Sequence, residues 1–306
     1  MGDLLLACDW GTTRLRAWVL SGDGSVARAG SFDLGVGRLK PGEAAERFER
    51  EIRPRLQATG LPAILCGMVG SELGWSPTPH LACPATLDDA RAAVREVSPG
   101  VRIVPGLRCA GLAGTPDVMR GEETQVFGWL EQAPERKRGR HLICHPGTHS
   151  KWILVEDGAV VRFATAMTGE LFDLLRRHSV LRNEAGPTDG AAFAEGLEVG
   201  RSGLLLSAAL FTVRGRRALG ELSAAQASSY LSGVLIGAEV AAMPGRLWPE
   251  AERIVLIGAP PLTGPYAQAM QALGREVETH DGDAAARVGL LALASTPGPR
   301  QFRKED

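Results

Sequence analysis

Asp9-Trp10-Gly11-Thr12-Thr13 follows one apolar run, residues 4–8, and precedes a second, residues 14–20. A buried strand that turns through a carboxylate, a glycine and two hydroxyls into another strand can hold a phosphate. Glycine lets the backbone approach the anion, Gly11, Thr12 and Thr13 supply N–H and hydroxyl donors, and Asp9 can orient Mg2+. The pattern returns in the second half of the chain. The apolar run 141–144 enters Pro146-Gly147-Thr148-His149-Ser150, and residues 151–155 read as the next strand. Gly147, Thr148, His149, Ser150 and Lys151 are therefore a second set of candidate phosphate contacts. Lys151 stands out because Lys40, Lys137, Lys151 and Lys304 are the only lysines among 34 basic residues. A strand-start lysine facing solvent is the competing reading. Even the next turns correspond, Asp23-Gly24 in the first copy and Asp157-Gly158 in the second. Two such units predict two related lobes gripping one phosphate chain.

Transferring a phosphoryl group to a hydroxyl also needs a carboxylate that accepts the hydroxyl proton. Glu122 and Glu123 form an acidic pair at the start of an otherwise apolar helical stretch. Adjacent helical residues diverge by about 100°, so one of the two should face a cleft. Glu122, directly after Gly121, is the first choice and Glu123 the second. A helix N-terminus that favours acids through its dipole is the competing reading. His141, His145 and His149 recur every fourth residue, a spacing that converges on a helix, but Pro146-Gly147 breaks any helix there and argues against zinc.

The elements that must position these groups follow from the pattern. The first half reads as three strands to about Phe32, a helix over residues 43–58, and a buried strand over 63–66 that runs into Gly67-Met68-Val69-Gly70-Ser71. A helix over 87–97 and a strand over 101–105 come next. Asp117 or a neighbour is expected to cap the helix of Glu122 and Glu123. The basic run 134–140 reads as a solvated connector between lobes. With a net charge of −1 over 306 residues there is no general field for nucleic acid or an anionic membrane. The second half repeats the three strands, then shows helices near 170–178, 191–199 and 223–243, a strand over 254–259, a helix from about 265 to 273, and a last helix opened by Gly282 or Asp283. Five scattered cysteines without a CxxC pair, and a start that reads as a strand rather than a leader, suit a reducing cytoplasm.

The duplicated strand–turn–strand units and the late strand meeting Gly258-Ala259 resemble the actin/hexokinase/Hsp70 ATPase superfamily. Within it, blocks in this order resemble the 2-keto-3-deoxygalactonate kinases: residues 9–18, Cys66 to Ser71 with Gly74-Trp75, residues 119–125, residues 146–152, Met167-Thr168-Gly169-Glu170-Leu171, and residues 235–240. The similarity runs to about Ala294. It implies an α/β protein of two ribonuclease H-like lobes with a nucleotide cleft between them. Residues 1–138 would form the lobe with the sugar acid pocket, and 139–295 the lobe with the adenosine site at Gly258 and Ala259; 296–306 is expected to be a disordered tail. Gly258-Ala259 runs into Pro260-Pro261 where many relatives carry more glycine, so this block departs from the superfamily pattern.

The resemblance further implies ATP and Mg2+ as cofactors, with Asp9 on the metal side. The substrate would be 2-dehydro-3-deoxy-D-galactonate, phosphorylated at its C6 hydroxyl in D-galactonate catabolism. Such a substrate carries a carboxylate, which calls for a cation, best a forked guanidinium. Arg14, Arg38 and Arg120 lie in or beside the matching blocks. Ser71, Trp75, Thr168 and Glu170 sit on glycine-containing turns suited to hydroxyl recognition, with a core role for Trp75 equally open. The partners expected are a small sugar acid and ATP, not nucleic acid or membrane, and self-association is left open. Two rival readings remain: another sugar or acyl kinase of the same fold, and a non-enzymatic nucleotide-dependent binding module.

Overall fold

The computed structural model describes residues 4–183 and 188–295; the expected tail, 296–306, lies outside them. The first half runs β1 (Leu5–Trp10), β2 (Leu15–Leu20), β3 (Val26–Phe32), α1 (Glu43–Arg47), a wider π-helical turn, α2 (Arg53–Arg55), β4 (Ala63–Cys66), β5 (His80–Ala82), α3 (Leu87–Ala92), β6 (Arg95–Ser98), β7 (Val101–Ile103), β8 (Gly106–Ala110), β9 (Pro116–Met119) and α4 (Glu122–Glu131). A short turn, Pro134–Lys137, leads into the second half. That half runs β10 (Arg140–His145), β11 (Ser150–Glu156), β12 (Ala159–Ala166), α5 (Thr168–His178), α6 (Gly190–Arg201), α7 (Leu206–Ala218), α8 (Ala224–Leu247), β13 (Arg253–Gly258), α9 (Pro260–Gln271), β14 (Glu276–Asp281) and α10 (Gly282–Ala294).

Strand pairing shows the duplication. The first sheet has the order β3-β2-β1-β4-β7-β6 and the second β12-β11-β10-β13-β14. Each begins as an antiparallel meander of three strands, and each then adds parallel neighbours to its first strand. This is the ribonuclease H-like plan, used twice in one α/β protein. Every residue of β1 is buried, as expected of a strand covered on both faces. Leu6, Cys8 and Trp10 pack outward with Phe48 and Ile52. Leu5 and Ala7 pack inward, into a core that holds Val126 and Phe127 of α4, Leu290 and Leu293 of α10, and Ile143 and Ile153 of the second sheet. The lobes thus share one core, built on a pair of crossing helices. The crossing is close: a Cβ on Gly128 would lie 1.8 Å from the Ala285 carbonyl oxygen, and one on Gly289 would lie 2.0 Å from that of Thr124.

The structure departs from the expected elements at several places. The helix expected over 87–97 stops at Ala92 and β6 follows, because Arg95–Ser98 pairs with β7 at the sheet edge. Asp117 does not cap α4. Its carboxylate instead accepts from the Thr165 N–H at 2.8 Å and the Thr165 hydroxyl at 2.6 Å, and the N-cap is Gly121, with no side-chain cap. The helix after Ala259 opens at Pro260, where a missing N–H costs nothing. A third sheet, β5-β8-β9, α7 and β14 were not foreseen. Among the described residues, no helix is long and apolar enough to cross a membrane.

Candidate active site

The C-terminal ends of β1 and β10 face each other across a cavity of about 520 Å³ between the sheets. Asp9 ends β1 and Arg16 lies directly opposite it on β2. The Arg16 guanidinium bridges Asp9 to Asp283 on α10, so one cation ties the first turn to a helix of the second half. Asp9 is 7% exposed. Burial raises its pKa, while the Arg16 charge and hydrogen bond pull it down. Sequence reading did not single out Arg16, although an arginine within the buried β2 was the available signal. The turn itself closes through the Gly11 N–H, which donates to the Arg14 carbonyl at 2.9 Å, and Thr12 and Thr13 are exposed on the cavity wall.

At the matching end of β10 stands His145, across from Lys151. Its Nε2 lies 2.9 Å from Gln125 Oε1, and burial pushes its pKa down to about 4, so the imidazole is neutral. Gly147, Thr148 and His149 line the wall opposite Gly11 to Thr13. Ser150 and Lys151 turn away from it. The Ser150 hydroxyl is wholly buried, 2.7 Å from the Tyr266 hydroxyl. Lys151 is 6% exposed, and its ammonium donates to the Val118 carbonyl at 3.0 Å and the Thr165 hydroxyl at 2.8 Å. Strand alternation explains both: once β11 begins, each side chain must choose a face, and both faces are covered. As phosphate contacts these two are corrected. His141, His145 and His149 have separate partners, and no group of three ligating side chains able to hold a metal occurs among the described residues.

The two candidate bases are separated by the fold. Glu122 is half-buried and lines the cavity, its Oε2 accepting from the Arg120 N–H at 3.2 Å. Burial raises its pKa, and the Lys151 charge opposes that rise. Glu123 is wholly buried with both oxygens 2.8 Å from the Gly121 N–H. Burial, reinforced by the Glu122 charge, pushes it up to about 7.

The residues expected to read the substrate divide likewise. Arg120 lines the cavity; its guanidinium donates to the Thr78 hydroxyl and, at 2.8 Å, to the Thr78 carbonyl, and it lies beside His80, yet among the described residues no carboxylate pairs with it. Arg14 sits at the rim, 3.6 Å from Asp33. Arg38 lies on an exposed turn outside the cavity lining. The Ser71 hydroxyl donates to the Met68 carbonyl at 2.7 Å, and Trp75 packs on Phe48 with ring centroids 5.5 Å apart. Both therefore serve the fold of their loop: Ser71 is corrected as a substrate contact, and Trp75 takes the core role that was left open. Thr168 hydrogen bonds Glu239, and Glu170 pairs with His149.

Beside the two glycine turns, Gly258 and Ala259 line the same cavity. A second cavity of about 230 Å³ adjoins them, walled by Gly147, Phe172, Leu235, Ile236, Leu262 and Tyr266. It is a mostly apolar slot, of the kind that accepts a flat heterocycle.

A duplicated ribonuclease H-like fold with two carboxylates, Asp9 and Glu122, and two facing glycine turns on one cavity, with an apolar slot beside it, is the arrangement of a phosphotransferase. The sequence pattern of the family described as 2-keto-3-deoxy-galactonokinase matches residues 9–293. The chain belongs to that family. A 2-dehydro-3-deoxygalactonokinase from Escherichia coli (strain K12) is 37% identical over 291 residues, 94% of this chain and 97% of its own. A relative from Rhizobium meliloti (strain 1021) assigned to the same activity is 37% identical over 308 residues, 96% of this chain and 97% of its own. A crystal structure of a family protein from Sinorhizobium meliloti superposes with a TM-score of 0.83 at 35% identity, covering 95% of this chain and 98% of that one. The enzyme is a sugar acid kinase, a phosphotransferase with an alcohol acceptor.

Proposed function

We propose that the enzyme transfers the γ-phosphoryl group of ATP to the C6 hydroxyl of 2-dehydro-3-deoxy-D-galactonate, as a step of D-galactonate catabolism. The observation that carries this is Arg120, a half-buried guanidinium in the cavity with no carboxylate partner among the described residues, two positions before Glu122. In this reading the substrate carboxylate sits on Arg120 and its far hydroxyl faces Glu122, both residues lining the one cavity. Arg14 at the rim is the second cation available to the acid.

Glu122 accepts the hydroxyl proton as the oxygen attacks phosphorus; its burial makes the carboxylate a stronger base. Donors from Gly11, Thr12 and Thr13 on one side and Gly147 and Thr148 on the other neutralise the phosphoryl oxygens, with His149 above them. Arg16 and the turns hold Asp9 at the phosphate end. A single hard oxygen donor fits Mg2+ carried in by the nucleotide better than a dedicated metal cage, and Mg2+ there would be held through Asp9 and would offset phosphate charge. Gly258 and Ala259 would support the ribose and the neighbouring slot the adenine. In this reading residues 1–138 carry the acid pocket and base, and 139–295 the adenosine site. Free thiols at all five cysteines accord with a cytoplasmic setting.

A coupled assay of ADP release tests the proposal. Rapid turnover with 2-dehydro-3-deoxygalactonate and little with glucose or gluconate is expected; equal turnover with neutral sugars would remove the carboxylate-reading pocket.

A further inference from the structure

We infer that Glu239 is a positioning residue that holds the nucleotide slot and the second phosphate turn in one geometry; this rests on the kinase reading above. Glu239 lies on α8, far in sequence from both phosphate turns, and it is 7% exposed. Its Oε1 accepts from the Trp152 indole N–H at 2.7 Å and its Oε2 from the Tyr266 hydroxyl at 2.8 Å. The Thr168 hydroxyl lies within hydrogen-bonding reach of it, and the Ser150 hydroxyl is linked to it through Tyr266, 2.7 Å away. Among the described residues it has no ion pair. A buried carboxylate answered only by neutral donors is costly to desolvate, and a well-packed apolar side chain would serve the core as well or better. What such a group provides is a fixed arrangement of its donors.

Those donors come from three elements that meet at the proposed ATP site. Trp152 and Ser150 belong to β11, which leaves the turn of Gly147 and Thr148. Thr168 opens α5, and Tyr266 belongs to α9; both line the apolar slot. α5 also rests on the turn itself. The Glu170 N–H donates to the Thr148 carbonyl at 2.9 Å, and a Cβ on Gly169 would lie 2.4 Å from the Gly147 carbonyl oxygen. Any shift of Thr168 must therefore move the phosphate turn, and Glu239 ties Thr168 to Tyr266 on the opposite side of the slot. One carboxylate fixes base end and phosphate end together.

The test compares wild type, Glu239→Gln and Tyr266→Phe. ADP affinity is measured by calorimetry, KM for ATP and for the sugar acid by steady-state kinetics, and folding by melting temperature. Gln keeps an acceptor for Trp152 but changes the pairing with Tyr266, while Phe removes one donor and leaves the carboxylate. Each variant is expected to weaken ADP binding and raise KM for ATP by about tenfold, with KM for the sugar acid within about twofold, since small misplacements of binding groups are that costly. Should Glu239→Gln fail to fold, Tyr266→Phe alone decides. A lowered melting temperature with unchanged ADP affinity, or equal rises in both KM values, overturns the inference. Wild type that binds no ADP overturns the kinase reading instead.

Discussion

Glu122 and Glu123 are neighbours in sequence but occupy different environments. Glu122 lines the cavity between the lobes, whereas Glu123 folds back onto the Gly121 N–H at the start of its own helix. The roughly 100° step between adjacent helical residues produces the split. Glu122→Gln keeps the size of the side chain but cannot accept a proton, so kcat should fall by about 10²–10⁴-fold with KM little changed. Glu123→Gln should keep kcat within a few-fold. If Glu123→Gln is the inactive variant, the base is the buried residue.

Glu123 should instead reveal itself in the pH dependence of stability. Its folded pKa, about 7, lies above the ordinary glutamate value, so it is the charged form that the fold disfavours. The stability it contributes is full below the unfolded pKa and lost as pH rises through about 7. Glu123→Gln should accordingly gain melting temperature over wild type at pH 8.5 and match it near pH 4.5. A gain that is the same at both values would mean the carboxyl does not titrate in this window.

Asp9→Asn should reduce kcat by on the order of 10²-fold or more with circular dichroism unchanged. The same variant frees Arg16 from one of its two carboxylates. Raising Mg2+ should not restore the rate. Recovery at high Mg2+ would make Asp9 a binding group only.

Arg120→Met should raise KM for the sugar acid by about 10²-fold, because a site built for a charged group loses most when that partner is missing. KM for ATP should stay within about twofold. Arg120→Lys is expected to recover little, since an ammonium cannot replace the fork that also binds Thr78. Equal effects on both substrates would place Arg120 in the scaffold.

Gly128→Ala should destabilise the enzyme by about 1–3 kcal/mol or more in urea unfolding, because its Cβ meets a helix backbone rather than a movable side chain. Wild-type stability in that variant would mean that the two helices slide apart freely.

Much of this architecture is readable in the sequence because it rests on local pattern. The apolar runs ending at Cys8 and Cys144 and the glycine turns after them are strand signals of short range, and both meanders form. β14 is hidden because Glu276–Asp281 is polar and at a sheet edge, so no apolar alternation marks it. The sheet β5-β8-β9 consists of strands of three to five residues, a short β8–β9 hairpin to which β5 is joined only by parallel pairing with β8 further along the chain. Site roles are less legible than strands. Nothing local tells Lys151, which reaches Val118 and Thr165, from a lysine lining the cavity, and nothing local shows that Arg120 has no carboxylate partner among the described residues while Arg16 has two. Those facts depend on which side chains arrive from elsewhere in the chain.

The crossing of Gly128 and Gly289 has a consequence for descent. Each glycine follows by seven residues the glycine that begins its segment, Gly121 or Gly282, and each fits against the backbone of the other's helix. If the halves arose by copying one ancestral unit, that unit met its own twin at this contact, and a larger residue would have clashed twice over. Once fused, neither copy could drift at this position alone. The most conservative link between the halves would then be a place where neither carries a side chain.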